Sequence, residues 1–99
     1  MSLPIDIAVL RDHCHRPAKD GKPPGVYGFA IYFLLASYAD GKGGPSLRRI
    51  ADDAGLSVRQ VAYTLQRMED IGLIQRQRQR NDDGGNAPTM YALLNPELR

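Results

Sequence analysis

The chain of 99 residues is long enough for one domain with a single modest core and too short for a second. Its composition, 42% hydrophobic and 24% charged residues, is ordinary for a globular protein and argues against global disorder. The formal net charge of +2 decides little, but residues 46–80 carry seven arginines against four acids, and a basic tract of this kind suits a partner that bears phosphate.

Cysteine content and hydropathy bear on the compartment. A single cysteine cannot form an internal disulfide, which fits a reducing environment. The longest apolar run, residues 29–36, is far shorter than the roughly 20 residues that a membrane-spanning helix needs, and no signal-peptide pattern opens the chain. We therefore expect a cytoplasmic protein without a membrane partner.

The first 25 residues contain one short apolar segment, residues 5–10, followed by a cluster of prolines and glycines. The apolar spacing in that segment fits a strand and a helical turn equally well. The run His13, Cys14, His15 resembles a metal site only superficially, because three adjacent ligands cannot close a tetrahedral site. We expect no metal, no cofactor and no nucleophile here, since side chains adjacent in sequence point apart.

Three helices are predicted from residue 26 onward. The run VYGFAIYFLLASYA, residues 26–39, is long and continuous enough to be a buried helix, which the following DGKGG ends. Ser46 is predicted to cap a second helix, and Gly55 to end it in the left-handed conformation that costs glycine little. Ser57, with Gln60 three positions later, forms a capping box that begins a third helix. The side chains expected on the buried side of the first helix are Tyr27, Ile31, Leu34, Leu35 and Tyr38.

The third helix has an apolar stripe and a polar face. Apolar side chains recur at spacings of three and four, at Val58, Val61, Leu65 and Met68. The polar face then consists of Arg59, Gln60, Tyr63, Thr64 and Arg67. Exposed polar residues on any helix show the same pattern, so this pattern alone does not indicate a binding site.

A β-hairpin is predicted after the third helix. Residues 73–80 and 89–94 have strand length, and the turn-forming NDDGGNAP lies between them. The first strand contains QRQRQR, in which Arg76, Arg78 and Arg80 share one face because side chains in a strand alternate. Neither face of this segment carries an apolar side chain that could enter a core.

The spacing from Ile50 through Gly55 to Val61 meets a geometric requirement of two closely crossing helices: small or branched residues at the contact and a glycine in the turn. Followed by RMEDIGLI and a basic hairpin, this pattern resembles the winged helix-turn-helix family of DNA-binding proteins. It is especially similar to the domain of plasmid and phage replication initiators and of small bacterial transcriptional regulators.

The resemblance covers residues 26–94 and implies an α+β, mainly α fold, with a three-helix core and a C-terminal β-hairpin wing. Residues 95–99 would be a C-terminal tail. Residues 1–25 would be an N-terminal extension, and they are a candidate dimerisation arm because such families often dimerise through segments outside the winged core.

The resemblance also implies a DNA-binding site. The third helix would lie in the major groove, where Arg59 could read guanine, Gln60 adenine and Thr64 a thymine methyl group. The start of the second helix would meet a phosphate, and the wing arginines would contact the backbone or enter the minor groove. The residues expected to bind DNA are Ser46, Arg48, Arg49, Ser57, Arg59, Gln60, Tyr63, Thr64, Arg67, Arg76, Arg78 and Arg80.

The function implied is sequence-specific binding of double-stranded DNA, by a bacterial or mobile-element transcriptional regulator or replication-initiation module. A homodimer is left open, and no enzyme activity or small-molecule ligand is expected. Two alternatives remain: a winged-helix protein-interaction module without DNA contact, and the DNA-binding part of a longer initiator. The basic wing beside an arginine-bearing helix favours DNA, because an interaction module would more often expose apolar residues there.

Overall fold

The computed structural model describes residues 3–38, 45–77 and 90–97. In these ranges it contains helices α1 (Ile7–His13), α2 (Gly25–Ser37), α3 (Leu47–Ala54) and α4 (Val58–Asp70), followed by strands β1 (Ile74–Gln77) and β2 (Met90–Leu93). The predicted α+β, mainly α winged helix-turn-helix fold is thereby confirmed, with α2, α3 and α4 as the three-helix core and the hairpin after it.

Helix α1 resolves the ambiguity of the first apolar segment. The Asp6 side chain accepts a hydrogen bond from the Ala8 backbone N–H at 2.8 Å and so caps the helix. Ile5, Leu10 and Cys14 are buried in the same core as the later helices. Part of the N-terminal extension therefore packs against the domain that follows it, and its role as a dimerisation arm stays a prediction.

The buried face of α2 agrees only in part with the one expected, since Leu34 is half-buried and Tyr38 is half-buried against the core. Its buried side chains include Tyr32 as well as the predicted Ile31 and Leu35, whereas Tyr27 is exposed. The helix is apolar on all sides, so periodicity could not select the face, and packing against α3 and α4 did. Gly28 faces α4 closely, because a Cβ added there would lie 3.5 Å from Met68 Cγ and would also collide with the Pro24 side chain.

Helices α3 and α4 begin at the predicted caps, and α3 ends at the predicted glycine. Ser46 Oγ accepts the Arg49 backbone N–H at 3.1 Å, and Gly55 ends α3 in the left-handed region with φ of 71°. In the capping box of α4, Ser57 Oγ accepts the Gln60 N–H and Gln60 Oε1 accepts the Ser57 N–H, both at 3.1 Å. These local bonds hold the two helices at a tight turn.

The hairpin pairs β1 with β2 in antiparallel register, from Ile74 opposite Leu93 to Gln77 opposite Met90. Its root joins the core because Ile74 is buried and because the buried Tyr32 hydroxyl of α2 donates a hydrogen bond to the Leu94 carbonyl oxygen at 3.0 Å. The predicted turn NDDGGNAP, and with it Arg78 and Arg80 at the end of the predicted first strand, lies outside the described residues.

One core therefore joins the N-terminal segment, the three helices and the hairpin root. Its buried members are Ile5, Leu10, Cys14, Ile31, Tyr32, Leu35, Ile50, Ala51, Val61, Leu65, Met68, Leu73 and Ile74. Among the described residues, no helix has the length and apolar character needed to cross a membrane.

Candidate nucleic-acid interface

The buried side of α4 differs from the predicted stripe at two positions. Thr64 is 2% exposed, and its hydroxyl donates to the Gln60 carbonyl oxygen at 2.7 Å, which satisfies its polar atom inside the core. Thr64 lies three residues after Val61 and four before Met68, so it falls within the stripe. Val58, in the first turn, is 44% exposed. The prediction that Thr64 is exposed was wrong, and with it the contact to a thymine methyl group.

The outward face of the N-terminal half of α4 presents Arg59 and Tyr63. Arg59 is exposed and makes no hydrogen bond or ion pair with another residue in the described ranges. Tyr63 is 55% exposed, so much of its ring faces solvent. Both side chains are therefore available to a ligand that approaches this helix.

Gln60 is exposed but its amide is partly occupied. Its Oε1 accepts the Ser57 N–H at 3.1 Å and lies 3.3 Å from Ser57 Oγ, so the acceptor lone pairs of the amide are used in the capping box. The Nε2 group remains as a donor. A bidentate contact with adenine would need both groups, so in this geometry Gln60 can only donate, for instance to a purine N7 or a phosphate oxygen.

Arg67 contacts a residue far away in sequence. Its Nε donates to Asp20 Oδ2 at 2.8 Å, and its guanidinium lies 5.9 Å from the centre of the Tyr63 ring. Asp20 also accepts a hydrogen bond from the Lys22 backbone N–H. Both bonds lower the pKa of Asp20 below its ordinary value, and the bond from Lys22 has the larger effect. The charge of Arg67 is therefore already balanced within the chain.

The start of α3 carries the predicted group of Ser46, Arg48 and Arg49, all exposed. The Arg49 guanidinium lies 4.5 Å from the centre of the Tyr38 ring, and its Nε is 3.9 Å from Asp53 Oδ2. Arg48 makes no hydrogen bond or ion pair with any described residue. Since the first amides of a helix lack intrahelical acceptors, this end of α3 can hold a phosphate oxygen.

Tyr38 also supports the position of Asp53. Its hydroxyl donates a hydrogen bond to Asp53 Oδ2. Burial, together with this bond, raises the pKa of Tyr38 to about 12, so the phenol stays protonated and remains a donor at neutral pH.

Arg76 is placed differently from the expectation for a free wing arginine. Its Nη2 donates to Glu69 Oε1 at 2.9 Å and to Gln66 Oε1 at 2.7 Å, and its backbone N–H donates to Glu69 Oε2 at 3.1 Å. The side chain is 17% exposed. The hydrogen bonds from Arg76 lower the pKa of Glu69. One face of β1 is thus bound to α4 by polar contacts, while Gln75 and Gln77 are exposed.

The His13 to His15 run is divided by the fold. His13 and Cys14 are buried, and burial raises the pKa of the Cys14 thiol to about 11, whereas His15 is exposed. Within the described ranges, no group of three metal-ligating side chains comes together.

Two comparisons with other proteins gave no match: no curated protein and no solved structure resembles the chain significantly. In a third, residues 27–74 match the family described as a helix-turn-helix domain. The match runs from α2 to the start of β1 and so includes α3, the Gly55 turn and α4. Residues 27–74, just under half of this chain, are therefore similar to the helix-turn-helix domain family.

Proposed function

We propose that this protein binds double-stranded DNA sequence-specifically through α4, as a transcriptional regulator or a replication-initiation module of bacterial or mobile-element origin. The observation that carries the proposal is the unpaired, exposed Arg59 at the start of the second helix of a helix-turn-helix unit. In such units the N-terminal half of this helix lies in the major groove. The proposal includes the cytoplasmic location expected from the sequence and assigns no catalytic role.

Base recognition would come from Arg59, Gln60 and Tyr63. The guanidinium of Arg59 matches the O6 and N7 acceptors of guanine bidentately, which is the commonest specific contact to a base. Gln60, limited to its Nε2 donor, would reach a single acceptor. The Tyr63 ring would cover apolar base or sugar surface next to Arg59.

Contacts to the DNA backbone would come from both sides of α4. Ser46, Arg48 and Arg49 at the start of α3 would bind one phosphate, and Arg78 and Arg80 of the wing would bind others. Ser57, whose side chain is used in the capping box, would contribute through the helix start. Arg67 and Arg76 are paired with carboxylates, so we assign them to positioning their neighbours rather than to phosphate.

The test is the substitution Arg59→Ala. After duplexes that bind the protein have been selected from a random pool, affinity is titrated on a selected site and on a random duplex. We expect the variant to lose roughly 1 to 3 kcal/mol on the selected site and little on the random one, because only the base contact is removed.

The matched control is Arg48→Ala, at an exposed arginine of α3 that is also unpaired among the described residues. It should weaken binding to both duplexes alike, because a phosphate contact carries no sequence information. If Arg59→Ala loses affinity equally on selected and random duplexes, base reading by Arg59 is wrong.

A protein-interaction module is the second candidate. The exposed apolar side chains Ile7, Val26 and Tyr27 near the start of α1 and α2 favour it. They lie on other elements than the exposed face of α4, so the two functions are separable. A protein that retains no duplex from the random pool at low salt would favour this second function.

A further inference from the structure

The loop between α1 and α2, residues 15–24, is bound to the C-terminal half of α4. Asp20 Oδ2 accepts the Arg67 Nε–H at 2.8 Å, and the Lys19 backbone N–H donates to Asp70 Oδ2 at 3.3 Å. Arg67 and Asp70 lie one turn apart on α4. The loop therefore lies along the end of the proposed recognition helix.

Hydrogen bonds within the loop give it a defined shape. The Ala18 N–H donates to the Lys22 carbonyl oxygen and the Gly21 N–H to the Ala18 carbonyl oxygen, both at 2.9 Å. The Lys22 N–H donates to Asp20 Oδ1 at 3.0 Å, and Gly21 has a φ of 82°, which glycine adopts readily. These bonds close residues 18–22 into a compact turn.

The loop and the wing lie on opposite sides of the exposed face of α4. Glu69 binds Arg76 of β1, whereas Arg67 binds Asp20 of the loop. At about 100° per residue, Glu69 and Arg67 are separated by about 160° around the helix, and Arg59 and Tyr63 project between them. The face proposed to read bases is thus flanked by the wing on one side and by the loop on the other.

The loop is positively charged where it is exposed. Arg16, Lys19 and Lys22 are exposed, and their side chains make no hydrogen bond or ion pair with residues of the described ranges. The two nearby acids are already hydrogen-bonded: Asp20 to Arg67 and Lys22, and Asp70 to Lys19 and Gln66. Arg67 balances the charge of Asp20, whereas Asp70 is bonded only to a neutral N–H and a neutral amide and keeps its charge. The three exposed basic side chains of the loop thus outnumber the one unbalanced acid of these two.

We propose that residues 15–22 form a second phosphate-binding arm, in which Lys19 and Lys22 contact the DNA backbone on the side of α4 opposite the wing. This inference rests on the proposed DNA-binding function and adds a contact site to it. Asp20 and Arg67 are positioning residues, since their ion pair holds the arm against the helix. Backbone contacts on both sides of α4 would fix its orientation in the groove.

The test is the salt dependence of binding by the Lys19→Gln/Lys22→Gln double variant of the full chain. Each phosphate contact contributes close to one unit to the slope of log affinity against log salt, so we expect the slope to fall by about two units. The preference for the selected site over a random duplex should not change, because backbone contacts carry no base information.

Two controls separate a specific contact from general loss of charge. Lys19→Arg/Lys22→Arg keeps both charges and should keep the wild-type slope. Arg11→Gln removes an exposed charge from α1, where Arg11 lies 3.7 Å from Asp12. Titrated at a protein concentration at which the chain is monomeric, it should change the slope by much less than one unit. Thermal unfolding of each variant confirms that it is folded, as expected for exposed side chains.

An unchanged slope in the double variant overturns the arm while leaving DNA binding by the wild type intact. The proposed arm is also overturned if the slope falls by as much per removed charge in Arg11→Gln as in the double variant. The fall would then reflect the total charge of the protein and not a contact at this loop. If the wild-type protein retains no duplex at low salt, the proposed function itself fails, and the arm fails with it.

Discussion

Single arginines in this protein differ in what they can bind because their neighbours differ. Arg48 and Arg59 have no partner among the described residues, whereas Arg67 and Arg76 each donate to a carboxylate at 2.9 Å or less. A guanidinium already hydrogen-bonded to a carboxylate gains less from a phosphate, since that bond must first be broken. Arg59 and Arg48 are therefore the positions where a substitution should affect DNA binding most directly.

Thr64 offers a test at the residue scale. Because its side chain is buried, Thr64→Val should leave DNA affinity unchanged and alter the free energy of unfolding by only about 1 kcal/mol, through loss of the hydrogen bond to the Gln60 carbonyl. Urea unfolding and a duplex titration measure the two effects. A tenfold loss of affinity in a variant of normal stability would show that Thr64 contacts DNA after all.

Among the secondary-structure elements, the wing is held by polar contacts at its root. Arg76 of β1 binds Glu69 and Gln66 of α4, and Tyr32 of α2 binds the Leu94 carbonyl just beyond β2. The hairpin is thus attached to two helices, and a two-stranded sheet that would be marginal alone gains a fixed position. The root of the wing therefore has a defined position relative to α4.

The Glu69 contact makes wing attachment dependent on pH. The bonds from Arg76 hold the pKa of Glu69 below its ordinary 4.5, so its contribution to stability is present above that value and is lost as pH falls through the lower, folded-state pKa. Glu69→Gln should be less stable than the wild type at neutral pH, and the difference should shrink below about pH 4.5.

Urea unfolding of both proteins at several pH values measures this difference. Asp20, whose pKa is also lowered, titrates in an overlapping range in both proteins and so cancels in the comparison. Stability curves that stay parallel down to pH 3 would show that the Glu69 contact does not stabilise the fold.

The wing arginines outside the described ranges give a second test of this element. Arg78→Gln/Arg80→Gln should weaken binding to all duplexes alike and lower the salt slope by about one unit for each lost phosphate contact. Gln75→Ala, at an exposed neutral side chain of β1, is the control and should leave the slope as it is. An unchanged slope in the double arginine variant would exclude the wing as a phosphate contact.

At the scale of the whole molecule, the N-terminal segment completes the core, whereas the start of α2 leaves apolar surface exposed. Leu10 and Cys14 are buried, but Val26 at the start of α2 is 78% exposed and lines a groove with Phe29 and Arg11. One winged module contacts few phosphates and binds weakly alone, so pairing of two modules would raise affinity. This reasoning supports the homodimer that the sequence left open.

We expect the wild-type protein to sediment as a dimer at high concentration and as a monomer on dilution. Val26→Asp should shift this equilibrium towards the monomer without unfolding the chain, because an exposed side chain tolerates a charge. Selected DNA sites should then contain paired half-sites. Dimerisation through this surface is contradicted if the wild-type protein stays monomeric at all concentrations and the selected DNA contains single half-sites.

The helix-turn-helix itself could be predicted from the sequence because its determinants are local. The caps at Ser46 and Ser57 act on amides three residues away, and Gly55 supplies a left-handed conformation at a single position. Such signals depend on neighbours within one helical turn, so they can be recognised in the sequence without knowing the tertiary structure. The Gln60 cap and the exposed Arg59 follow from the same local pattern.

Only the tertiary structure decided which side chains are buried and which arginines stay unpaired. Because α2 is apolar on every side, its packing against α3 and α4 decided that Tyr32 and not Tyr27 is buried. Thr64 rather than Val58 enters the core because of where α4 meets its neighbours. Asp20 and Arg67 lie 47 residues apart in sequence and meet only when the loop packs against α4. An ion pair between residues so far apart in sequence depends on how the helices and loops pack. A helix cap depends only on the order of neighbouring residues along the chain.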